Sequence, residues 1–112
     1  MYTYCMDKKD RTGTVYVIKH PETLEIVYVG QTVMELWQRL ANHLSVARCA
    51  ARSARGNNKM KDWLLRNNRP IIEPIVTKVP YGMLRRLEWV AIRAMLATGV
   101  KLLNDRVNYH CA

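Results

Sequence analysis

Phenylalanine is missing from the 112 residues, and cysteine (three), proline (four) and glycine (five) are sparse. Cys5, Cys49 and Cys111 are odd in number, irregularly spaced and without a CxxC pair. That pattern excludes a disulfide framework and offers no zinc-site spacing, so the thiols read as reduced and the protein as cytoplasmic. No apolar run approaches the roughly eighteen residues of a membrane span, and the opening "MYTYCMDKKD" lacks the apolar core of a secretory signal, so a soluble protein is expected. No repeat, low-complexity tract or linker divides the chain. Acids are scarce as well: 9 Asp+Glu stand against 18 Lys+Arg, a formal charge of +9. Such a field attracts polyanions and puts nucleic acid or an anionic membrane surface first among partners.

What is present supports one folded domain, residues 1–112. At 49% hydrophobic, a chain of this length buries a modest core unaided. "GTVYVIKHPETLEIVYVGQT" contains two segments, 13–19 and 24–30, rich in Val, Ile and Tyr and separated by His20-Pro21-Glu22-Thr23, which predicts a β-hairpin. Setting Lys19 against Glu25 as an opposite-charge pair puts Val15 opposite Val29, Val17 opposite Val27, Tyr16 opposite Tyr28 and Ile18 opposite Ile26. The valines form a core face. The tyrosines share the other face, either as aromatic strand formers on a half-buried surface or as phenols with a chemical task.

Thr32-Val33-Met34-Glu35 has the form of a capping box, so a helix is expected from about Val33. Val33, Leu36, Trp37, Leu40, Leu44 and Ala47 recur at helical spacing as its buried face. Glu35, Arg39 and His43 form a neighbouring row that reads as solvated or as functional. The helix should pass Arg48 and fade before Gly56. From Arg48 to Arg69 the basic residues Arg48, Arg52, Arg55, Lys59, Lys61, Arg66 and Arg69 meet the single acid Asp62. That density suits a phosphate-binding stripe or a solubilising surface.

A short helix near Asn58 to Asn67 can bury Met60, Trp63 and Leu64. "RPIIEPIVTKVP" then predicts a third strand, which Pro74 confines to an edge or a bulge. The last helix should run from Tyr81 to Thr98 with Gly99 as its stop. Leu84, Leu87, Ala91, Ala94 and Met95 line its inward stripe, while Trp89 and Ile92 are left to serve a partner. Glu88 intrudes among the apolar residues. A carboxylate there needs a partner, whether an arginine such as Arg85, a metal ion or a catalytic network.

Thr14-Val15-Tyr16 and Tyr28-Val29-Gly30 with eleven residues between them, Arg39 and His43 on the next helix, Glu88 on a late helix and Asn104 after it together resemble the GIY-YIG nuclease superfamily. The resemblance extends from Gly13 to about Arg106. It implies a small α/β (α+β) domain with a central three-stranded antiparallel sheet flanked by helices, its core about 13–106 and residues 1–12 and 107–112 as terminal extensions. It also implies an endonuclease that uses one divalent ion per active site, Mg2+ or Mn2+. By position it makes Tyr16, Tyr28, Arg39, His43, Glu88 and Asn104 the catalytic set, with Glu88 the metal ligand and Gly30 the glycine that closes the second motif. Two departures stand out: Gly13 sits one residue early, and Gln31 occupies a position where some members carry a lysine. Gln31 is then expected to face nucleic acid together with Arg48, Arg52, Arg55, Lys59 and Lys61.

The residue types suit phosphodiester hydrolysis independently. A free tyrosine ionises near pH 10, so Tyr16 needs help from a neighbour, and His43 is the best placed. Arg39 offers its fork of donors to a phosphate. Glu88 offers a hard oxygen to one magnesium ion. Tyr28 positions water or phosphate, and Asn104 orients Glu88 or a flanking segment. The expected function is a metal-dependent endonuclease acting on DNA ahead of RNA, working as a monomer with a dimer on substrate as the alternative. A non-catalytic nucleic-acid-binding module is the second reading. A membrane-surface role fits worse, because Trp37 and Leu40 are expected in the core.

Overall fold

The structure, a computed structural model, describes residues 11–50, 58–67 and 69–104. In chain order the elements are β1 (Thr12–Lys19), β2 (Ile26–Thr32), α1 (Leu36–Ala50), α2 (Asn58–Arg66), β3 (Ile71–Pro80) and α3 (Tyr81–Ala97). The strands form one antiparallel sheet in the order β2-β1-β3. This is the expected α+β architecture, and no helix among the described residues is long and apolar enough to cross a membrane.

The central strand is apolar on both sides, which is why helices cover both faces of the sheet. Val15 and Val17 point to one face, where they join Val29, Val79, Leu84, Ile92 and Leu102 under α3. Tyr16 and Ile18 point to the other, where they join Ala47 of α1 and Met60, Trp63 and Leu64 of α2. β3 is an edge strand, as Pro74 requires, and the pairing slips between Val15 and Tyr16 at that proline.

The hairpin register differs from the sequence expectation by two residues. Lys19 does not face Glu25; its Nζ lies 2.7 Å from Glu73 Oε1 on β3. The turn closes one residue further out, with His20 N–H donating to the Glu25 carbonyl at 2.9 Å. His20 Nδ1 also accepts the backbone N–H groups of Glu22 and Thr23, so the turn is built on the imidazole. An irregularity between Ile18 and Lys19 then leaves Val27 without a partner on β1 and shifts the register once more. Tyr16 therefore faces Gly30, Val17 faces Val29 and Ile18 faces Tyr28. Beyond the irregularity the two single-residue shifts sum to an even number, so Tyr28 and Val29 keep their expected faces and the tyrosines become diagonal neighbours. Before it the single shift moves Ile26 to the valine face and Val27 to the tyrosine face.

α1 also begins later than expected. Thr32 Oγ1 accepts the Met34 N–H in a local turn, and the helix starts at Leu36. Gln38 Oε1 reaches back to the Glu35 N–H, so the capping residue is Glu35 and the reciprocal glutamine sits three positions on. The inward face also differs from the expected stripe. Val33 and Trp37, expected in the core, are 42% and 68% exposed, while Arg39 and His43 turn toward the sheet and become half-buried. On α3 the corrections run both ways: Ala94 is exposed, and Ile92, expected to be available to a partner, is buried in the core. Gly99, at φ 91°, ends that helix as expected.

After α3 the chain returns along the outer edge of β2. Leu103 N–H donates to the Val27 carbonyl at 2.7 Å. Asn104 is buried and makes a two-way clasp on Val29, its Oδ1 accepting the Val29 N–H at 3.1 Å and its Nδ2 donating to the Val29 carbonyl at 2.7 Å. Of its two expected roles, orienting Glu88 or a flanking segment, the amide's contacts match the second: both of its functional atoms go to the strand edge. An alanine there leaves two buried backbone groups without partners, so Asn104→Ala should lower the unfolding free energy by about 2 kcal/mol or more. An unchanged guanidinium midpoint would contradict the clasp.

Candidate active site

Tyr16 is fully buried, with 0% of its surface exposed, yet its polar atom is satisfied. Arg39 Nε donates to the phenol oxygen at 3.2 Å, and His43 Nε2 lies 2.7 Å from the same oxygen. Both partners come from consecutive turns of α1, four residues apart, on the side of the helix that faces the sheet. Tyr28 completes the cluster from β2. Its ring centroid stands 5.3 Å from that of His43, edge to face, and 6.4 Å from that of Tyr16.

The hydroxyl can occupy this position because residue 30 has no side chain. A Cβ on Gly30 would sit 2.5 Å from the Tyr16 oxygen, 2.6 Å from its Cζ and 3.0 Å from Tyr28 Cε2. The phenol lies across the glycine of the neighbouring strand, and Arg39 and His43 leave it nowhere to retreat.

The electrostatics assign the protons. Arg39 can only donate, and burial, with Arg39 adding to it, pushes His43 down from its ordinary 6.5 to about 4, so the imidazole is neutral at pH 7. A neutral imidazole has one bare ring nitrogen, and the tautomer with its proton on Nδ1 lets Nε2 accept from a phenol that already accepts from Arg39. Tyr16 is raised well above its ordinary value of 10.0 by burial first and then by Tyr28; Arg39 opposes the rise by charge and by hydrogen bond, and Glu88 adds a small further push.

Glu88 is half-buried on α3, and burial raises its carboxyl above the ordinary value while Arg85 and Arg39 hold it down. It adds to the rise of Tyr16 and is itself held down in part by Arg39, which puts the carboxylate in electrostatic reach of the cluster. Among the described residues no group of three or more His, Cys, Asp or Glu gathers to hold a metal ion. Glu88 as a lone hard oxygen fits magnesium, which takes one or two carboxylates and fills its octahedron with water and phosphate oxygens. It does not fit zinc, which needs three or four protein ligands.

The structure thus gathers Tyr16, Tyr28, Arg39 and His43 within contact of one another, brings Glu88 into electrostatic reach and sets Asn104 apart on the strand edge. Gln31 is half-buried beside Gly30. Arg48 and Lys59 are exposed and Lys61 half-buried, with Arg48 about 13 Å along α1 from Arg39, whereas Arg52 and Arg55 lie outside the described residues. Arg85, one of the partners the sequence offered for Glu88 and three residues before it on the helix, is the leading charge that holds its carboxyl down. Sequence reasoning took Gly30 only as a motif residue; its steric role needs the register in which it faces Tyr16. No family model, no curated protein and no solved structure matches the chain.

Two predictions follow from this geometry. Gly30→Ala should drive the phenol out of its hydrogen bonds and cost about 1–3 kcal/mol of stability, the range for overpacking. Tyr16→Phe should then cost less in that background than in the wild type, and strictly additive costs in a double-mutant cycle would show that the hydroxyl does not lie over Gly30.

Because the folded His43 binds its proton more weakly than the unfolded one, its contribution to stability is complete above about pH 6.5 and declines as pH falls toward about 4. The raised Glu88 works in the opposite sense over its own window, so wild type should be compared with His43→Gln: the difference should shrink on acidification from 6.5 to 4, and a pH-independent difference would refute the neutral imidazole.

Proposed function

We propose that the protein is a GIY-YIG-type endonuclease that hydrolyses phosphodiester bonds in nucleic acid, DNA ahead of RNA, with one divalent ion held by Glu88. The observation that carries this reading is the buried phenol held between a guanidinium donor and a neutral imidazole acceptor, with a carboxylate in electrostatic reach. A structural tyrosine needs one hydrogen-bond partner; this one has a donor and a base, arranged to pass a proton.

The chemistry that suits the site is a relay. At rest the Tyr16 phenol is too weak an acid and His43 too weak a base for a stable phenolate. The resting phenol is closed to water, so substrate binding must first draw Arg39 onto the phosphate and open a path to it. Tyr16 then accepts a proton from the attacking water as its own proton moves to His43 Nε2. The water oxygen bonds to phosphorus, and the P–O bond to the leaving oxygen breaks, that oxygen taking a proton from solvent. Arg39 stabilises the phenol oxygen as charge develops there and presents its remaining guanidinium donors to the phosphate. Tyr28, with its ring against His43, walls that side of the site. A magnesium ion held by Glu88 would supply Lewis-acid stabilisation of charge on the phosphate oxygens.

The test is supercoiled plasmid with and without magnesium. Tyr16→Phe, Arg39→Ala and Glu88→Gln should each lower cleavage about a hundredfold or more while the fold survives. One such site acts on one strand per encounter, so open circles should precede linear molecules. Near-normal cleavage by Glu88→Gln would end the metal assignment, and binding with no cleavage under any divalent ion would leave a nucleic-acid-binding module.

A further inference from the structure

Three described acids gather at one end of the sheet, with Lys19 and Arg69 beside them, and five described bases gather at the other. Glu22, Glu25 and Glu73 cluster at the end where the hairpin turns, and Lys19 is bound to Glu73 there. At the opposite, open end lie the exposed Arg11, Lys78, Arg85 and Arg86 and the half-buried Arg39, against Glu35 and the site carboxylate Glu88. α1 and α3 both begin at this basic end.

An apolar patch sits in the same place. Val33 and Met34, each 42% exposed, lead into the first turn of α1, where Trp37 is 68% exposed. An indole so open to water is unusual, since tryptophan is on average a well-buried residue. Trp63 is 9% exposed and Trp89 packs against the α3 core, so Trp37 alone of the three turns outward. It stands two residues before Arg39, about 3 Å along the helix but roughly 200° around it, so the two side chains leave nearly opposite sides. Arg39 faces the buried phenol, and Trp37 faces solvent.

We propose that Trp37 is a stacking platform for an unpaired base a few nucleotides from the scissile phosphate, so that branched, looped or single-stranded nucleic acid is preferred over continuous duplex. The inference deepens the nuclease reading and rests on it for the position of the phosphate. An aromatic ring beside a cationic surface is the arrangement that binds single strands, because every base has a π face and each phosphate seeks a cation. A continuous duplex keeps those base faces stacked on one another and presents none to the ring. A second copy of the chain is a poor occupant. Three side chains fall far short of the roughly 800 Å² per partner of a stable interface, and two molecules of formal charge +9 repel.

The test is binding without metal, comparing a blunt duplex with the same duplex carrying a single-stranded tail. Trp37→Ala should weaken the tailed ligand about tenfold and leave the blunt one unchanged, whereas Trp37→Phe should retain most of the preference. Loss of intrinsic tryptophan emission on adding the tailed ligand, absent in Trp37→Ala, should accompany it. Equal losses on both ligands, or none on the tailed one, would overturn the proposal, as would a wild-type dimer that Trp37→Ala converts to monomer in sedimentation. Cleavage with magnesium is scored separately: its absence alongside an intact tail preference would support the stacking role while removing the nuclease reading.

Discussion

The Tyr16 hydroxyl is the constraint around which the rest of one sheet face is arranged. A phenol oxygen with no exposure to water is costly to bury unless its hydrogen bonds are made inside the protein. Meeting that requirement uses three elements at once. β2 must place a glycine opposite the ring, α1 must present a donor and an acceptor on successive inward turns, and the helix must lie close enough for both to reach one atom. Substituting any of these groups alone leaves the oxygen clashing or unsatisfied. The cluster is therefore both a packing feature and a chemical one, and its position in the core makes its geometry rigid.

That rigidity depends on features distant from the hydroxyl. The register that puts Gly30 under Tyr16 is set by the His20 turn and by the irregularity at Val27, and it is locked from outside by the Asn104 clasp on Val29. A slip of one residue in β2 would place Val29 or Gln31 opposite Tyr16 and fill the space that the phenol needs. On the other sheet face, Leu84 and Ile92 anchor α3 against the valines, which fixes the axis on which Glu88 is carried. Asn104 thus matters to the candidate site through the backbone, with no need to touch the groups that would react.

Much of this was legible in the sequence because periodicity survives small errors. Strand alternation put Tyr16 and Tyr28 on one face even though the register was off by two. The Met60, Trp63 and Leu64 stripe of α2 and the edge placement of β3 at Pro74 follow from spacing and from the missing proline N–H. What was not legible turned on local competition between partners. Lys19 had two carboxylates within reach, and only the third strand, which brings Glu73 alongside, decides between them. Thr32 has the chemistry of a helix cap, yet the helix opens after Glu35, and α1 packs with Trp37 outside the core and Arg39 turned into it. Hydrophobicity alone ranks those two residues the wrong way round; the buried hydroxyl that attracts Arg39 lies twenty-three residues earlier in the chain and is invisible to a helical window.

The same burial that orders the cluster sets its resting chemistry. Desolvation moves Tyr16 and His43 in opposite senses, making the phenol a weaker acid and the imidazole a weaker base, so the proton between them has a single favoured position on the tyrosine. A site held this way does not generate a reactive phenolate in the absence of substrate. Under the proposed function, a phosphodiester bound at Arg39 brings a negative charge toward His43, which favours the imidazolium and lowers the cost of moving the proton to Nε2. The phosphate also draws on Arg39, a cation that at rest holds the imidazole below its ordinary value. Both changes act in the direction of the relay, so the substrate itself supplies the electrostatic shift that the folded protein withholds.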